Sequence, residues 1–540
     1  VVTTAEGDAW TADLGDGRYR NPVLCSDFSD PDAIRVGDDY YLVSSTFNQV
    51  PGLPVLHSRD LVNWTILGHV LTELPPAERY REPRPGQGVW APSLRHHAGR
   101  FWVCWGDPDV GIFLASASDP AGPWTRPHLL VAGTGLIDPC PFWDEDGTAY
   151  VVHGWAPSRS GIRNRLTLRA MAPDGSRLLD DPDAATGVTP ETTARTPPGG
   201  LLLIDGDQVP GCHTLEGPKL YRRGDHYYVF APAGGVAEGW QSVFRSRRLT
   251  GPYEHRVVLS QGGSEVNGPH QGAWVDTPGG QHWFLHFQDR GAYGRITHLQ
   301  PLRWTDDDWP VIGAAAPGAE RGEPVPVHPR PHLPSQPRRA PQTTDEFTGP
   351  ALGPQWAWPA NPRRDWCSLT ARPGWLRLPS QPTHEPEHLG TAAAVLSQRF
   401  PALAFTARTE VEFRPRAVGE RTGLAVLGER YAWIGLHHTE DGTDLVLRLH
   451  LGGDDHERDL LRTPLPAGVR RVGLAVRVRP EARCQFHVHL GGEGWREVGE
   501  EFTARPGRWV GARLGVFALA PAHATATGHA DLPFFRVGPG

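Results

Sequence analysis

Three acidic residues sit in similar local settings: Asp30 in "SDPDAI", Asp138 in "LIDPC" and Glu216 in "LEGPKLY". Each precedes a proline by one or two places, and each is followed by an apolar strand, a turn and an aromatic strand. Taken singly, Asp before Pro is a common turn former whose side chain bonds its own backbone, whereas Glu has little turn propensity. Taken together, two carboxylates of different protonation state can hydrolyse a glycosidic bond. The protonated one donates to the leaving oxygen, and the ionised one removes a proton from the attacking water. A third carboxylate nearby raises the pKa of the donor and keeps it protonated near neutral pH.

Those side chains must be brought together by repeated elements. The same layout recurs with an aromatic head at Trp90 ("WAPSLRHHAGRFWVCW") and an imidazole head at His270 ("HQGAWVDTPGGQHWFLHF"), making five copies. Radial repetition of one small sheet per copy predicts an all-β, five-bladed β-propeller. The innermost strand of every blade borders the central channel, so all five heads converge on one funnel. Three like charges in one funnel are costly unless they serve chemistry.

At 540 residues the chain exceeds one average core, and two domains are expected. The propeller is assigned to residues 1–313. The Pro-rich stretch 314–342, "AAAPGAERGEPVPVHPRPHLPSQPRRAPQ", reads as an extended linker. Residues 343–540 carry strands such as "FTARTEVEFRP" and "RRVGLAVRVRP", which suit an antiparallel β-sandwich. A net charge of -8 gives no electrostatic case for nucleic acid or anionic membrane as partner. No apolar run approaches the roughly 18 residues that span a bilayer. The opening "VVTTAEGDAW" shows no leader, so a cytoplasmic location is slightly favoured over secretion. The six cysteines are scattered without a C-x-x-C pair, which argues against zinc and for buried free thiols.

The stretches "NPVLCSDFSDPDAIRVGDDYYLVSSTF", "GLIDPCPFWDEDGTAYVVHGW" and "EGPKLYRRGDHYYVFAPAGG", with "VWAPSLR", "NGPHQGAWVDT" and "AYGRITHLQPLRW", resemble the motifs of glycoside hydrolase family 43. The C-terminal region is similar to the concanavalin-like β-sandwich of two-domain β-xylosidases in that family. The resemblance implies an inverting mechanism with Asp30 as general base, Glu216 as general acid, and Asp138 as the residue that tunes and orients that acid. It also implies that Arg295 contacts sugar hydroxyls, and that Trp90, Phe47 and Trp155 line the sugar pocket. His270 is implied to help hold a structural calcium in the channel through water. No organic cofactor is implied.

The expected function is exo-acting release of D-xylose from non-reducing ends of xylo-oligosaccharides and other hemicellulose fragments. α-L-Arabinofuranosidase activity, alone or combined with it, is the near alternative, because the two sugars present similar hydroxyl geometry. A non-catalytic carbohydrate-binding propeller is the alternative from another class, and it would not need three acids. Fructan-cleaving propellers share the architecture, but their "WMNDPN"-type and "ECP"-type motifs are missing. The partner is an oligosaccharide, and family members with this second domain often form homo-oligomers. The loop-capped funnel that would enforce exo-action is expected from the sandwich. Lys219, three positions beyond Glu216 on an alternating strand, is expected to face away from the site.

Overall fold

A computed structural model of the chain describes residues 9–179, 200–383, 388–453, 456–466, 468–491 and 494–540. Five four-stranded antiparallel sheets follow one another in chain order, and each is a simple meander. Blade I comprises Asp32–Val36, Asp39–Val43, Gly52–Ser58 and Thr65–Leu71. Blade II comprises Trp90–His97, Arg100–Asp107, Gly111–Ala117 and His128–Ala132. Blade III comprises Leu136–Trp143, Ala149–Trp155, Arg165–Met171 and Leu201–Asp205. Blade IV comprises Lys219–Arg223, His226–Ala233, Trp240–Ser246 and Glu254–Leu259. Blade V comprises His270–Asp276, His282–Asp289, Arg295–Trp304 and Pro310–Ile312. The repeat seen in the sequence is therefore the inner hairpin of each blade.

Local chemistry explains those hairpins. His97 pairs with Arg100 across the two-residue turn Ala98-Gly99, and both turn residues have positive φ, 50° and 72°. That is the geometry whose twist matches a right-handed strand pair. Apolar residues alternating along the strands meet those of the next blade. Leu94 and Val103 pack with Val43 and Val55, for example, and Val229 and Leu220 pack with Val152 and Leu166. Five such clusters fill the five seams, including the one that joins blade V back to blade I through Leu285, Leu299, Leu42 and Leu56.

The second domain is a sandwich of two seven-stranded sheets. One is centred on Phe405–Arg414 and Arg471–Arg479, the other on Arg421–Leu427, Tyr431–Thr439 and Arg513–Ala520. Along Phe405–Arg414 every second residue is buried, the alternation of a strand with one face on a core. That core reaches into the propeller, where Tyr293 and Ile296 belong to the same apolar cluster. The Pro-rich segment is extended and tied down. Val327–Pro329 pairs with Arg18–Arg20, and Arg330 bridges Asp13 and Asp60 at 2.7 and 2.6 Å. Backbone bonds between Val50 and Trp358 (2.8 and 2.7 Å) add a further stitch between the domains.

Candidate active site

Asp30 and Asp138 each adopt a left-handed backbone, φ 52° and 55°, immediately before a proline, Pro31 just ahead of the inner strand of blade I and Pro139 within that of blade III. Asp is among the residues that tolerate this region, though at a cost. The turn breaks strand alternation and leaves the carboxyl at the mouth of the channel. In blade III the ladder shifts between Ile137 and Cys140 for this reason. Glu216 lies one place farther from its proline, and Gly217 takes the left-handed position, φ 57°. A Cβ on Gly217 would approach Gln271 Cδ to 2.7 Å, so glycine is required there.

The three acids line one cavity together with Phe47, Trp90, Arg295 and Trp509. Arg295 Nη1 donates to Asp30 Oδ1 at 2.9 Å, and Ser45 Oγ donates to Asp30 Oδ2 at 2.5 Å. Both donors are those an ionised carboxylate accepts. Gly217 N–H donates to Asp138 Oδ2 at 2.8 Å. Glu216 Oε1 and His270 Nε2 share a hydrogen bond of 3.0 Å. Burial, reinforced by the charges of Asp138 and Asp30 and opposed by Arg295, pushes the Glu216 carboxyl up to about 8. Burial also raises Asp138, to about 7, helped by the Asp30 charge and opposed by the Gly217 N–H, Lys219 and Arg295. Burial and the nearby Arg295 depress His270 to about 3 and keep its ring neutral.

Aromatic rings form the wall. Trp90 meets Phe47 and Trp509 edge to face, with centroids 6.1 and 6.0 Å apart. Trp509 comes from the sandwich, on the loop Gly507–Gly511. That loop is held by Asp27, which accepts the Gly511 N–H through Oδ2 and the Arg295 N–H through Oδ1, both at 2.9 Å. One propeller carboxylate thus fixes both the arginine and the capping loop.

Calcium takes six to eight oxygen ligands. Among the described residues no three His, Cys, Asp or Glu side chains stand close enough to share an ion. His270 offers one nitrogen, Nδ1, which is buried without a partner, while its Nε2 is engaged by Glu216.

Two of the expected placements are corrected. Trp155 does not line the cavity. It is buried against Ile112, Leu114 and Met171, and its Nε1 donates to Thr167 Oγ1 at 2.9 Å. Its neighbour Gly154 faces the channel, with Asp138 Oδ2 3.9 Å from where its Cβ would stand, so alternation turns Trp155 to the opposite face. Lys219 does not face away. It is wholly buried and spans the channel to Pro92 and Ser93 of blade II. Trp509 was not singled out by sequence reasoning. Its only local signal is a tryptophan in the glycine-flanked "PGRWVG".

The model of glycosyl hydrolases family 43 matches residues 19–310, over half of the chain. The chain belongs to glycosyl hydrolases family 43. A model described as the beta xylosidase C-terminal concanavalin A-like domain matches residues 344–538. A relative from Xylanibacter ruminicola is 36% identical over 93% of this chain and 86% of its own length. A beta-xylosidase of Formosa agariphila is 30% identical over 96% of this chain and 90% of its own. A non-reducing end alpha-L-arabinofuranosidase of Bacteroides ovatus is likewise 30% identical, over 97% and 96%. Among solved structures, a xylan beta-1,4-xylosidase from Bacillus halodurans superposes with a TM-score of 0.82 at 25% identity, covering 96% of this chain and 99% of that one. This family 43 protein is a glycoside hydrolase, with a five-bladed propeller and a concanavalin-like sandwich.

Proposed function

We propose that the enzyme removes single D-xylose units from the non-reducing ends of xylo-oligosaccharides with inversion at the anomeric carbon. The observation that carries this reading is one small cavity in which a carboxyl pushed up to about 8, Glu216, shares space with an arginine-paired carboxylate, Asp30. Glu216 holds its proton at neutral pH and gives it to the leaving oxygen. Asp30, anchored by Arg295 and Ser45, takes the proton of the attacking water. Asp138, fixed by the Gly217 N–H, contributes the negative charge that keeps Glu216 protonated. The Arg295 nitrogens beyond its Asp30 bond are free to grip sugar hydroxyls. Trp509 closes the pocket from the second domain, which suits a cavity that admits one terminal sugar.

The equal identity to a beta-xylosidase and to an alpha-L-arabinofuranosidase favours a second reading, in which arabinofuranosides are accepted as well. The test is an NMR assay of the first-formed anomer on aryl xylosides, aryl arabinofuranosides and xylotriose. Release of α-xylose from the β-xylosides is expected. First-formed β-xylose would overturn inversion, and turnover of arabinofuranosides alone would replace the substrate.

A further inference from the structure

Beneath the three carboxylates lies a second layer of charge. Lys219 is the only lysine among 53 basic residues of the chain, all the others being arginine. Its ammonium donates to Pro92 O at 2.8 Å and to Ser93 Oγ at 2.7 Å, and stands 3.9 Å from Asp32 Oδ2. Asp32, itself fully buried, is already engaged: its Oδ2 accepts from Leu94 N and from Arg95 Nη1, both at 2.8 Å. Arg95 continues to Cys140 Sγ at 2.8 Å. The layer copies the one above it a step down the inner strands. Asp32 follows Asp30 by two residues and Cys140 follows Asp138 by two. Lys219 likewise follows Gly217, whose N–H holds Asp138.

One carboxylate and two cations leave this layer with an excess positive charge. A buried ammonium is costly unless a counter-charge offsets it. Arg95 neutralises Asp32, and the neutral oxygens of Pro92 and Ser93 satisfy hydrogen bonds without supplying charge. The anion left to balance Lys219 is in the layer above. An ammonium is a compact point charge, whereas a guanidinium is a broad planar fork. In a chain that otherwise uses arginine throughout, a lysine between two acceptors under 3 Å away marks a position where the larger group does not fit.

We infer that Lys219 is a positioning residue for the reaction: its ammonium holds Asp138 as the anion that keeps the transferable proton on Glu216. This rests on the roles proposed above for Asp138 and Glu216. The ionisable groups that face Lys219 are Asp32 from blade I, Arg95 and Cys104 from blade II, and Asp138 and Cys140 from blade III. Arg95 shares the Asp32 carboxylate with Lys219 and passes on to Cys140. Lys219 is among the groups that pull Asp138 down against burial and the charge of Asp30. Without it the shared proton is drawn from Glu216 toward Asp138, and the site loses its donor.

The test is the pH profile of kcat/KM for the full-length chain on a xyloside with a poor leaving group, with thermal melting as the check on folding. Lys219→Gln leaves the Asp32–Arg95 pair balanced, so it is expected to fold. Both limits that belong to the Asp138–Glu216 pair should move to higher pH, by about 0.5–1 unit. Asp32→Asn removes the opposing charge and should move them to lower pH, a reversal of sign that structural damage does not produce. Limits that stay in place in Lys219→Gln, whatever the loss of rate, overturn the inference. If Lys219→Gln does not fold, the Asp32→Asn profile decides, and an unmoved one also overturns it. An alkaline limit that persists in Glu216→Gln would be a failure of the acid assignment, distinct from a failure here.

Discussion

In the propeller three carboxylates share a cavity with one arginine; in the sandwich a single carboxylate, Asp531, is gripped by two. Arg377 holds Asp531 bidentately at 2.7 and 2.8 Å, and Arg372 adds a contact of 3.1 Å. Both sites are buried, and burial pushes Glu216, Asp138 and Asp531 toward the neutral form. At Asp531 the hydrogen bonds of Arg377 and Arg372 outweigh burial and hold it below the usual carboxylate range. At Glu216 and Asp138 the neighbouring carboxylates add to burial and the pKa climbs. Burial is the largest cause at Glu216 and Asp138 and their like-charged neighbours add to it, whereas at Asp531 two paired cations overcome it.

The sharpest way to break this contrast is at its extremes. Glu216→Gln should slow hydrolysis of xylosides with poor leaving groups by about 10²–10⁴-fold while sparing activated aryl xylosides far more. Because wild-type Glu216 donates only while protonated, the rate should fall as pH rises through about 8, and that alkaline limit should vanish in the variant. Steady-state kinetics across leaving groups and pH check both points. Glu216 is already neutral below that pH of about 8, so the amide removes no charge and the melting temperature should change little.

Asp531→Asn should do the reverse. Loss of the charged pairing is expected to cost roughly 2–3 kcal/mol, toward the lower end of buried pairs because both arginines are about a third exposed. Calorimetry should show the sandwich melting about 5–10 °C lower. Catalysis at low temperature should be retained. The folded-state pKa of Asp531 is depressed, so this stability is present above the unfolded value of about 4 and is lost as pH falls through the folded one. The variant should therefore show a flatter loss of stability in acid than wild type.

The smallest effect is expected where the two regions meet. Trp509→Ala removes edge-to-face contact with Trp90 and one wall of the cavity. KM should rise about tenfold with kcat little changed, the signature of binding lost equally in ground and transition states. A fall in kcat with unchanged KM would instead place Trp509 in transition-state recognition.

Much of this was legible in the chain. The propeller and the convergence of Asp30, Asp138 and Glu216 follow from a hairpin repeated with turn residues at fixed offsets. What failed did so for local geometric reasons. Counting alternation from Glu216 sent Lys219 to the wrong face, because the left-handed Gly217 between them rotates the strand. Trp155 was misplaced by a single residue of the same alternation, since Gly154 occupies the channel side. Trp509 belongs to another domain, and nothing local in "PGRWVG" says which surface it will meet. The Pro-rich segment reads as a connector, and its partners Asp13, Asp60 and Arg18–Arg20 lie some three hundred positions back along the chain.

The bond between Arg295 and Asp30 spans 265 residues and crosses the seam where the last blade returns to the first. A chain halted before blade V would already carry all three acids and Asp27, yet the base would have no cation to hold it and the cavity no capping loop. Turnover by this protein is thus a report that its circle has closed.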